Sequence, residues 1–346
     1  MSTAAPPRLF QAMAGAVQGG AENFFVRLAG GLHRAGVAQR VAIRRNPARA
    51  AALRAEGVEP VELEFGGWFD FRTRPALRRL AAEWRPGVVL TWMNRATRMM
   101  PRGPWVHAAR MGGYYDLKYY RHCHHLVGNT PDIVAHIVRQ GWPAERAHYL
   151  PNFVEDRPAA PADRAAFATP AGAPLLLAAG RLHRNKGFDT ALAALARLPD
   201  AVLWLAGEGP ERGALETHAA ALGVGARVRF LGWRDDMPAL HAAADVFVCS
   251  SRHEPLGNIV LEAWAQRRPV VAVRSPGPEG LIADGETGLL VPQEDPAALA
   301  AAVARVLGDA ALAARLGAAG RRALDRQFSE AAVVGQYLDF FRRIAR

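Results

Sequence analysis

Short apolar runs alternate with longer amphipathic stretches along most of the chain. The first half opens with an apolar run at Arg8–Met13, a Gly-rich segment, and helical spacing over Ala21–Arg34. Runs at Arg40–Ile43, Pro60–Phe65, Gly87–Trp92, Trp105–His107 and Leu126–Gly128 predict strands, while Pro47–Glu56, Pro75–Trp84 and Pro131–Gln140 predict helices. Around Asp156–Pro174 the period is lost and Pro and Ala accumulate, the composition of a linker. A second series then follows, with strands at Leu175–Ala179, Val202–Ala206, Val228–Leu231, Val246–Cys249, Val270–Val273 and Leu289–Val291. Helices fall between them near Phe188–Arg197, Glu211–Leu222, Met237–Ala243, Ile259–Arg267 and Pro296–Leu307. Ser329 before Glu330 reads as the N-cap of a last helix to about Ile344, apolar at Val333, Val334, Tyr337, Leu338, Phe341 and Ile344.

Such alternation is the signature of βα units around a parallel sheet. At 346 residues the chain exceeds what one core holds. The expectation is an α/β protein of two Rossmann-like domains facing each other across a cleft. Residues 1–155 form the first, residues 172–329 the second, and the terminal helix 330–346 crosses back to the first. Ligands of open α/β sheets bind outside the carboxyl ends of the strands, so chemistry is sought there.

Composition sharpens this. Only two lysines occur, Lys118 and Lys186, in a chain with 43 Lys and Arg, which singles out Lys186 when it recurs in a motif. Residues 1–155 carry 21 Lys and Arg against 11 Asp and Glu, nearly all of the net charge of +11. A basic half attracts polyanions such as anionic lipid, and an Arg-rich solvated surface gives the same count. Cys123 and Cys249 lie far apart without metal-ligand spacing, which argues against a disulfide framework or a zinc site. With no signal-peptide pattern and no long apolar span, the expected location is cytoplasmic, peripheral on the inner membrane face if the basic half docks there.

Three stretches carry chemistry. Glu254-Pro-Leu-Gly-Asn-Ile-Val-Leu-Glu262 follows a buried strand; Glu254 falls in the loop and Glu262 about a turn into the next helix. Gly257 and Asn258 then start that helix, where free N–H groups and the helix dipole favour phosphate. A cap plus a solvent-facing helical Glu fits the same spacing. Gly180-Arg-Leu-His-Arg-Asn-Lys-Gly187 follows the first strand of the second series, and Arg181 and Lys186 suit an anion there. Gly15-Ala-Val-Gln-Gly19-Gly20-Ala-Glu22 gives the first βα turn bare backbone, though it matches neither a dinucleotide fingerprint nor a phosphate loop. Asp235-Asp236 reads as helix N-capping, not as a metal-binding pair.

Taken in order with Gly285-Glu-Thr-Gly-Leu-Leu-Val-Pro292, these stretches resemble the family 4 retaining glycosyltransferases of GT-B fold, over nearly the whole chain and most strongly across residues 175–295. The resemblance implies a metal-independent hexosyltransferase without cofactor, using a nucleotide-sugar donor, UDP-linked as first expectation, and a saccharide or lipid-linked acceptor of the lipopolysaccharide type. It implies that Glu262 holds the donor ribose and Glu254 the transferred sugar, while Arg181 and Lys186 neutralise the diphosphate. Gly257, Asn258 and Ile259 would offer N–H groups beside Gly180, with Gly19 and Gly20 closing from the first domain. Leu231 would border the base. His107, taken as a strand-end residue, looks like the family histidine touching the donor sugar, and Arg110–Asp116 would line the acceptor side.

Rival readings are a dehydrogenase, which lacks its glycine fingerprint here, and a sugar-nucleotide epimerase of GT-B-like architecture. A nucleic-acid-binding protein would use the basic half, but no reading module or interleaved stacking aromatics occur, so nucleic acid is not an expected partner. Trp68, Phe69 and Phe71 beside Arg72 and Arg74 could seat at an anionic membrane interface or close a core.

Overall fold

The computed structural model describes residues 6–17, 19–66 and 70–345. They form two compact units, Met1–Asn152 with Glu330–Arg346, and Phe153–Ser329.

The first unit runs β1 (Leu9–Met13), α1 (Gly20–Arg34), β2 (Gln39–Arg44), α2 (Pro47–Ala55), β3 (Pro60–Leu63), α3 (Thr73–Trp84), β4 (Val88–Trp92), α4 (Met93–Met99), β5 (Val106–Met111), β6 (His125–Gly128), α5 (Pro131–Arg139) and β7 (Ala147–Tyr149). The second runs β8 (Leu175–Ala179), α6 (Phe188–Leu195), β9 (Val202–Ala206), α7 (Arg212–Ala221), β10 (Val228–Gly232), α8 (Met237–Ala243), β11 (Val246–Cys249), α9 (Asn258–Ala265), β12 (Val270–Val273), α10 (Pro276–Leu281), β13 (Leu289–Val291), α11 (Pro296–Gly308) and α12 (Ala310–Gln327). A last helix, α13 (Glu330–Ile344), belongs to the first unit.

Each unit is one parallel sheet, ordered β3-β2-β1-β4-β5-β6-β7 and β10-β9-β8-β11-β12-β13. Strands β1, β4, β8, β9, β11 and β12 are buried at every position. Their sequences are near-continuous apolar runs because helices cover both faces. Strand order reverses between β1 and β4 and between β8 and β11, the two crevices where such sheets take ligands. Both Rossmann-like units are therefore as the hydrophobic pattern predicts. Helix α13 does return to the first unit: Arg110 Nε donates to the Tyr337 hydroxyl at 2.9 Å, Phe340 packs on His148 at 4.8 Å, and Arg34 pairs with Glu330 at 2.7 Å.

Four differences from the sequence pattern have physical causes. The aperiodic Asp156–Pro174 segment is bound to the second unit. Arg164 donates to the Ala243 carbonyl at 2.6 Å and pairs with Asp245 at 2.7 Å, and Phe167 meets Trp204 edge-on at 4.8 Å. Its order comes from side-chain hydrogen bonds, which leave no period. Helix α12 is absent from the pattern although Leu312, Leu316 and Leu324 are buried; between them its contact face is made of small residues, and a Cβ on Gly317 would collide with the Arg267 carbonyl, one on Gly320 with the Trp264 indole. Helix α4 and strand β7 are too short for periodicity to register. Asp236, expected to cap α8, instead grips Arg234 at 2.5 Å and makes no side-chain cap. Trp68 and Phe69 lie outside the described residues.

Alanine at Gly317 weighs two effects against each other. Helix propensity favours it by about 1 kcal/mol, whereas forcing a methyl group against a backbone carbonyl costs about 1–3 kcal/mol. The collision should win, so Gly317→Ala lowers the urea midpoint; a raised midpoint would refute the packing account.

Candidate functional site

At the carboxyl edge of the second sheet, the loop after β8 carries Arg181 and Lys186 and the loop after β11 carries Glu254. The two loops are stitched into one piece. Ser250 Oγ donates to the Lys186 carbonyl at 3.0 Å, and His253 N donates to the Asn185 carbonyl at 3.1 Å. Arg252 reaches the Arg184 carbonyl at 3.0 Å, Asp189 at 2.6 Å and Glu294 at 2.7 Å. Its guanidinium holds the Asp189 carboxyl below its ordinary range. Arg252 is thus a site-building residue that no motif exposed, because its partners lie 42 to 68 positions away in sequence.

Within this frame Lys186 Nζ forms an ion pair with Glu254 Oε2, with side-chain exposures of 22% and 10%. The other carboxylate oxygen takes the Gly257 N–H at 3.4 Å. Glu254, expected to face a sugar directly, is committed to Lys186 and to the backbone. Gly187 has φ 59° and Gly257 φ 69°, and each begins the helix that follows, α6 and α9. Neither tolerates a Cβ: at Gly187 it would collide with the Ser250 carbonyl, and at Gly257 it would lie 2.7 Å from the Leu281 side chain. Asn258 and Ile259 then present the first turn of α9, with Glu262 farther along it.

Arg181 is exposed, and no ion pair or hydrogen bond among the described residues engages it. Glu262 faces His241 of α8, whose Nε2 lies 3.9 Å from Glu262 Oε2. Both ring nitrogens of the fully buried His241 lack a hydrogen-bond partner. Sequence reasoning passed over His241, which sits in an otherwise ordinary helical pattern. Gly180 closes β8, and Leu231 lies in β10 just before Gly232, whose carbonyl accepts from Gly207 N at 2.7 Å. The second unit therefore collects Arg181, Lys186, Glu254, Gly257, Asn258, Ile259, Gly180 and Leu231 along one sheet edge, with Glu262 on α9.

In the first unit, Gly19 and Gly20 start α1 after β1, and Glu22 Oε1 accepts from Ala16 N at 2.7 Å to hold that turn. Beside it a cavity of about 330 Å³ is lined by Gly15, Ala16, Arg44, Asn94, Arg95 and Tyr115, among others. Arg95 donates to the Phe65 carbonyl at 3.1 Å, and Phe65 and cavity-lining Met93 hold φ of 41° and 65°. Strained non-glycine backbone of this kind gathers at functional crevices.

His107 does not belong to that crevice. Strand β5 continues to Met111, so His107 is its second residue, paired with Val89, while Arg110 reaches the level of Trp92 and Met13. Three residues of strand put His107 about 10 Å below the carboxyl edge. The expected strand, Trp105–His107, is too short: β5 includes Arg110, whose guanidinium is buried against Phe24 and Trp92. Burial and the neighbouring His122 and His124 push the His107 imidazole down to about 3, so it is neutral.

Residues 160–323 match the family described as glycosyl transferases group 1, and residues 18–157 match Glycosyltransferase Family 4. The lipopolysaccharide core biosynthesis glycosyltransferase LpsE of Rhizobium meliloti (strain 1021) is 41% identical over 92% of this chain and 95% of its own. LpsD of the same organism, described in the same words, is 38% identical over 94% and 96%. The Anabaena HepE structure, in complex with UDP and glucose, superposes with a TM-score of 0.82 at 18% identity, over 97% of this chain and all of that one.

Replacing Arg252 by Met removes three hydrogen-bonded stitches while keeping an apolar stem. Amide hydrogen exchange across residues 250–257 should then accelerate while the strands stay protected. Unchanged exchange there would show that the loops hold without it.

Proposed function

Because the chain belongs to the family 4 glycosyltransferases of group 1, we propose that it moves a hexose with retention from UDP to a saccharide of the lipopolysaccharide core, presented on lipid. With the family shown, the epimerase, dehydrogenase and nucleic-acid readings give way. The observation that carries the proposal is the Lys186–Glu254 pair at the start of α9, a cation fixed beside a helix N-terminus at a sheet's carboxyl edge.

In this reading the donor diphosphate lies against Lys186, Arg181 and the N–H groups of Asn258 and Ile259. Cations and a helix N-terminus lower the energy of the leaving phosphate as negative charge builds on it. Glu254 keeps Lys186 aimed, Glu262 accepts from the ribose hydroxyls with His241 behind it, and the turn after Leu231 borders the base. Gly180 leaves room beside Lys186. Protein cations supply the electrostatics of departure, so the chemical step calls for no metal. The relatives' printed role supports a lipopolysaccharide acceptor, and the UDP of the HepE complex supports the donor class. The acceptor fits the cavity around Arg44 and Arg95, whose guanidinium groups suit an acidic or phosphorylated sugar.

Membrane docking follows from the same acceptor. Phe71 is 77% exposed, and Arg72, Arg74, Arg78 and Arg79 are exposed on or beside α3. An apolar ring among arginines suits the interface of an anionic bilayer. No single helix among the described residues is long and apolar enough to cross one.

Lys186→Ala and Glu262→Ala should each lower turnover by about 10²-fold or more, as removal of a preorganised charge contact does. Near-normal rates for both with UDP-hexose and core saccharide would end this reading. In vesicle flotation the protein should rise with phosphatidylglycerol-containing vesicles and not with neutral ones, and Phe71→Ser should weaken the effect. Equal recovery from both vesicle types would remove the membrane from the proposal.

A further inference from the structure

The opposite, amino edge of the first sheet carries a cluster that glycosyl transfer does not use. One ring nitrogen of His107, one of His122 and the Sγ of Cys123 all lie within 4.8 Å of one another. They border a cavity of about 350 Å³. The strand pairing that joins β5 to the start of β6 brings His107 beside a segment it precedes by fifteen residues or more: His124 N donates to the His107 carbonyl at 2.7 Å, and His107 N donates to His124 Nδ1 at 2.8 Å.

Hydrogen bonds fix which nitrogens are available. The Thr97 hydroxyl donates to the Met93 carbonyl at 2.9 Å, so its oxygen, 2.9 Å from Thr91 Oγ1, can only accept the Thr91 proton. Thr91 Oγ1 must then accept from His107 Nε2–H at 2.9 Å. His122 Nε2, 3.0 Å from the Thr97 carbonyl, must likewise carry a proton. Both imidazoles are thereby held as the tautomer whose Nδ1 keeps its lone pair, and no hydrogen bond among the described residues engages either Nδ1. A ring nitrogen bonded to a hydroxyl or a backbone carbonyl behind it is the arrangement that orients histidine on a metal.

We propose that His107, His122 and Cys123 form a binding site for a zinc-class divalent ion, with Thr91 and Thr97 as its supporting groups. Two imidazoles and a thiolate are the donor set that borderline-soft ions prefer. Three atoms within 4.8 Å of one another can sit at most about 2.8 Å from the centre of an equilateral triangle, so each moves inward by no more than about 0.5–0.8 Å to reach bonding distances of about 2.0–2.3 Å. On binding, the Cys123 S–H bond is replaced by S–Zn and the proton leaves to solvent. Arg102 and Arg121 line the same cavity but are exposed, so solvent and salt screen their repulsion, and they favour an anion or hydroxide at the fourth position. His107, lost to the donor site by its place on β5, finds its chemistry here. Sequence spacing argued against zinc because it cannot show a ligand supplied by a neighbouring strand.

The test uses the full chain without an affinity tag, equilibrated with Zn²⁺, stripped of loose ion on chelating resin, and assayed for metal by elemental analysis. One zinc per chain is expected, with Cys123→Ser and His122→Ala at least about 100-fold weaker and Thr91→Val about 10–100-fold weaker. Co²⁺ in place of Zn²⁺ should give a thiolate-to-cobalt charge-transfer band that Cys123→Ser abolishes. Circular dichroism and transfer of sugar by Cys123→Ser separate ligand loss from unfolding. Failure to retain zinc, retention unaffected by Cys123→Ser, or a cobalt spectrum without the thiolate band would overturn the site, and each leaves the glycosyltransferase reading untouched.

Discussion

The second unit is organised around one buried-edge ion pair, Lys186 with Glu254. A lysine and a glutamate so little exposed would each pay a heavy desolvation cost alone, and mutual attraction offsets it only when geometry is held. That explains the density of restraints nearby. Ser250, Arg252 and His253 each tie the loop after β11 to the loop after β8. Lys186 is therefore a preorganised cation: its charge is already oriented before an anion arrives, and little reorganisation remains to be done during reaction.

Backbone geometry follows from the same constraint. For the two loops to touch, α6 and α9 must begin abruptly, which left-handed Gly187 and Gly257 permit. The cost is chain entropy at two glycines, and the return is a helix start placed directly beside the cation. Arg181 differs in kind. Exposed and unengaged, it is free to follow a ligand, whereas Lys186 is fixed to meet one.

How much of this could be read beforehand depended on whether the signal was contiguous. Strands such as β8, β9, β11 and β12 were legible to the residue because both faces are buried and the apolar run ends where the sheet ends. Helix α12 was less so, because Gly317, Gly320 and Ala323 interrupt the buried leucines Leu312, Leu316 and Leu324 and pack by being small. The motifs around Lys186 and Glu254 were visible since each lies within one loop. Arg252 and His241 were not, since their meaning rests on partners distant in sequence. At His107 the limit is different: the sequence pattern ends this strand at His107, whereas β5 runs on through buried Ala108, Ala109 and Arg110 to Met111, which puts His107 near the amino edge of its sheet.

That misplacement bears on how a parallel sheet divides labour. Loops at the carboxyl edge follow each strand and open onto the crevice, so bare glycine backbone and unpaired charge gather there. The amino edge is reached by returning connections, which pack tightly and tie off their polar groups. In the first unit that edge instead presents two histidines whose hydrogen bonds leave a lone pair on each and a cysteine between β5 and β6. Polar side chains with unspent valence in so well-satisfied a region ask for a ligand, and the donor atoms themselves say which kind. An oxygen-seeking ion finds no carboxylate among the three; a sulfur- and nitrogen-seeking one finds every donor it needs except the last, which the cavity leaves open to water.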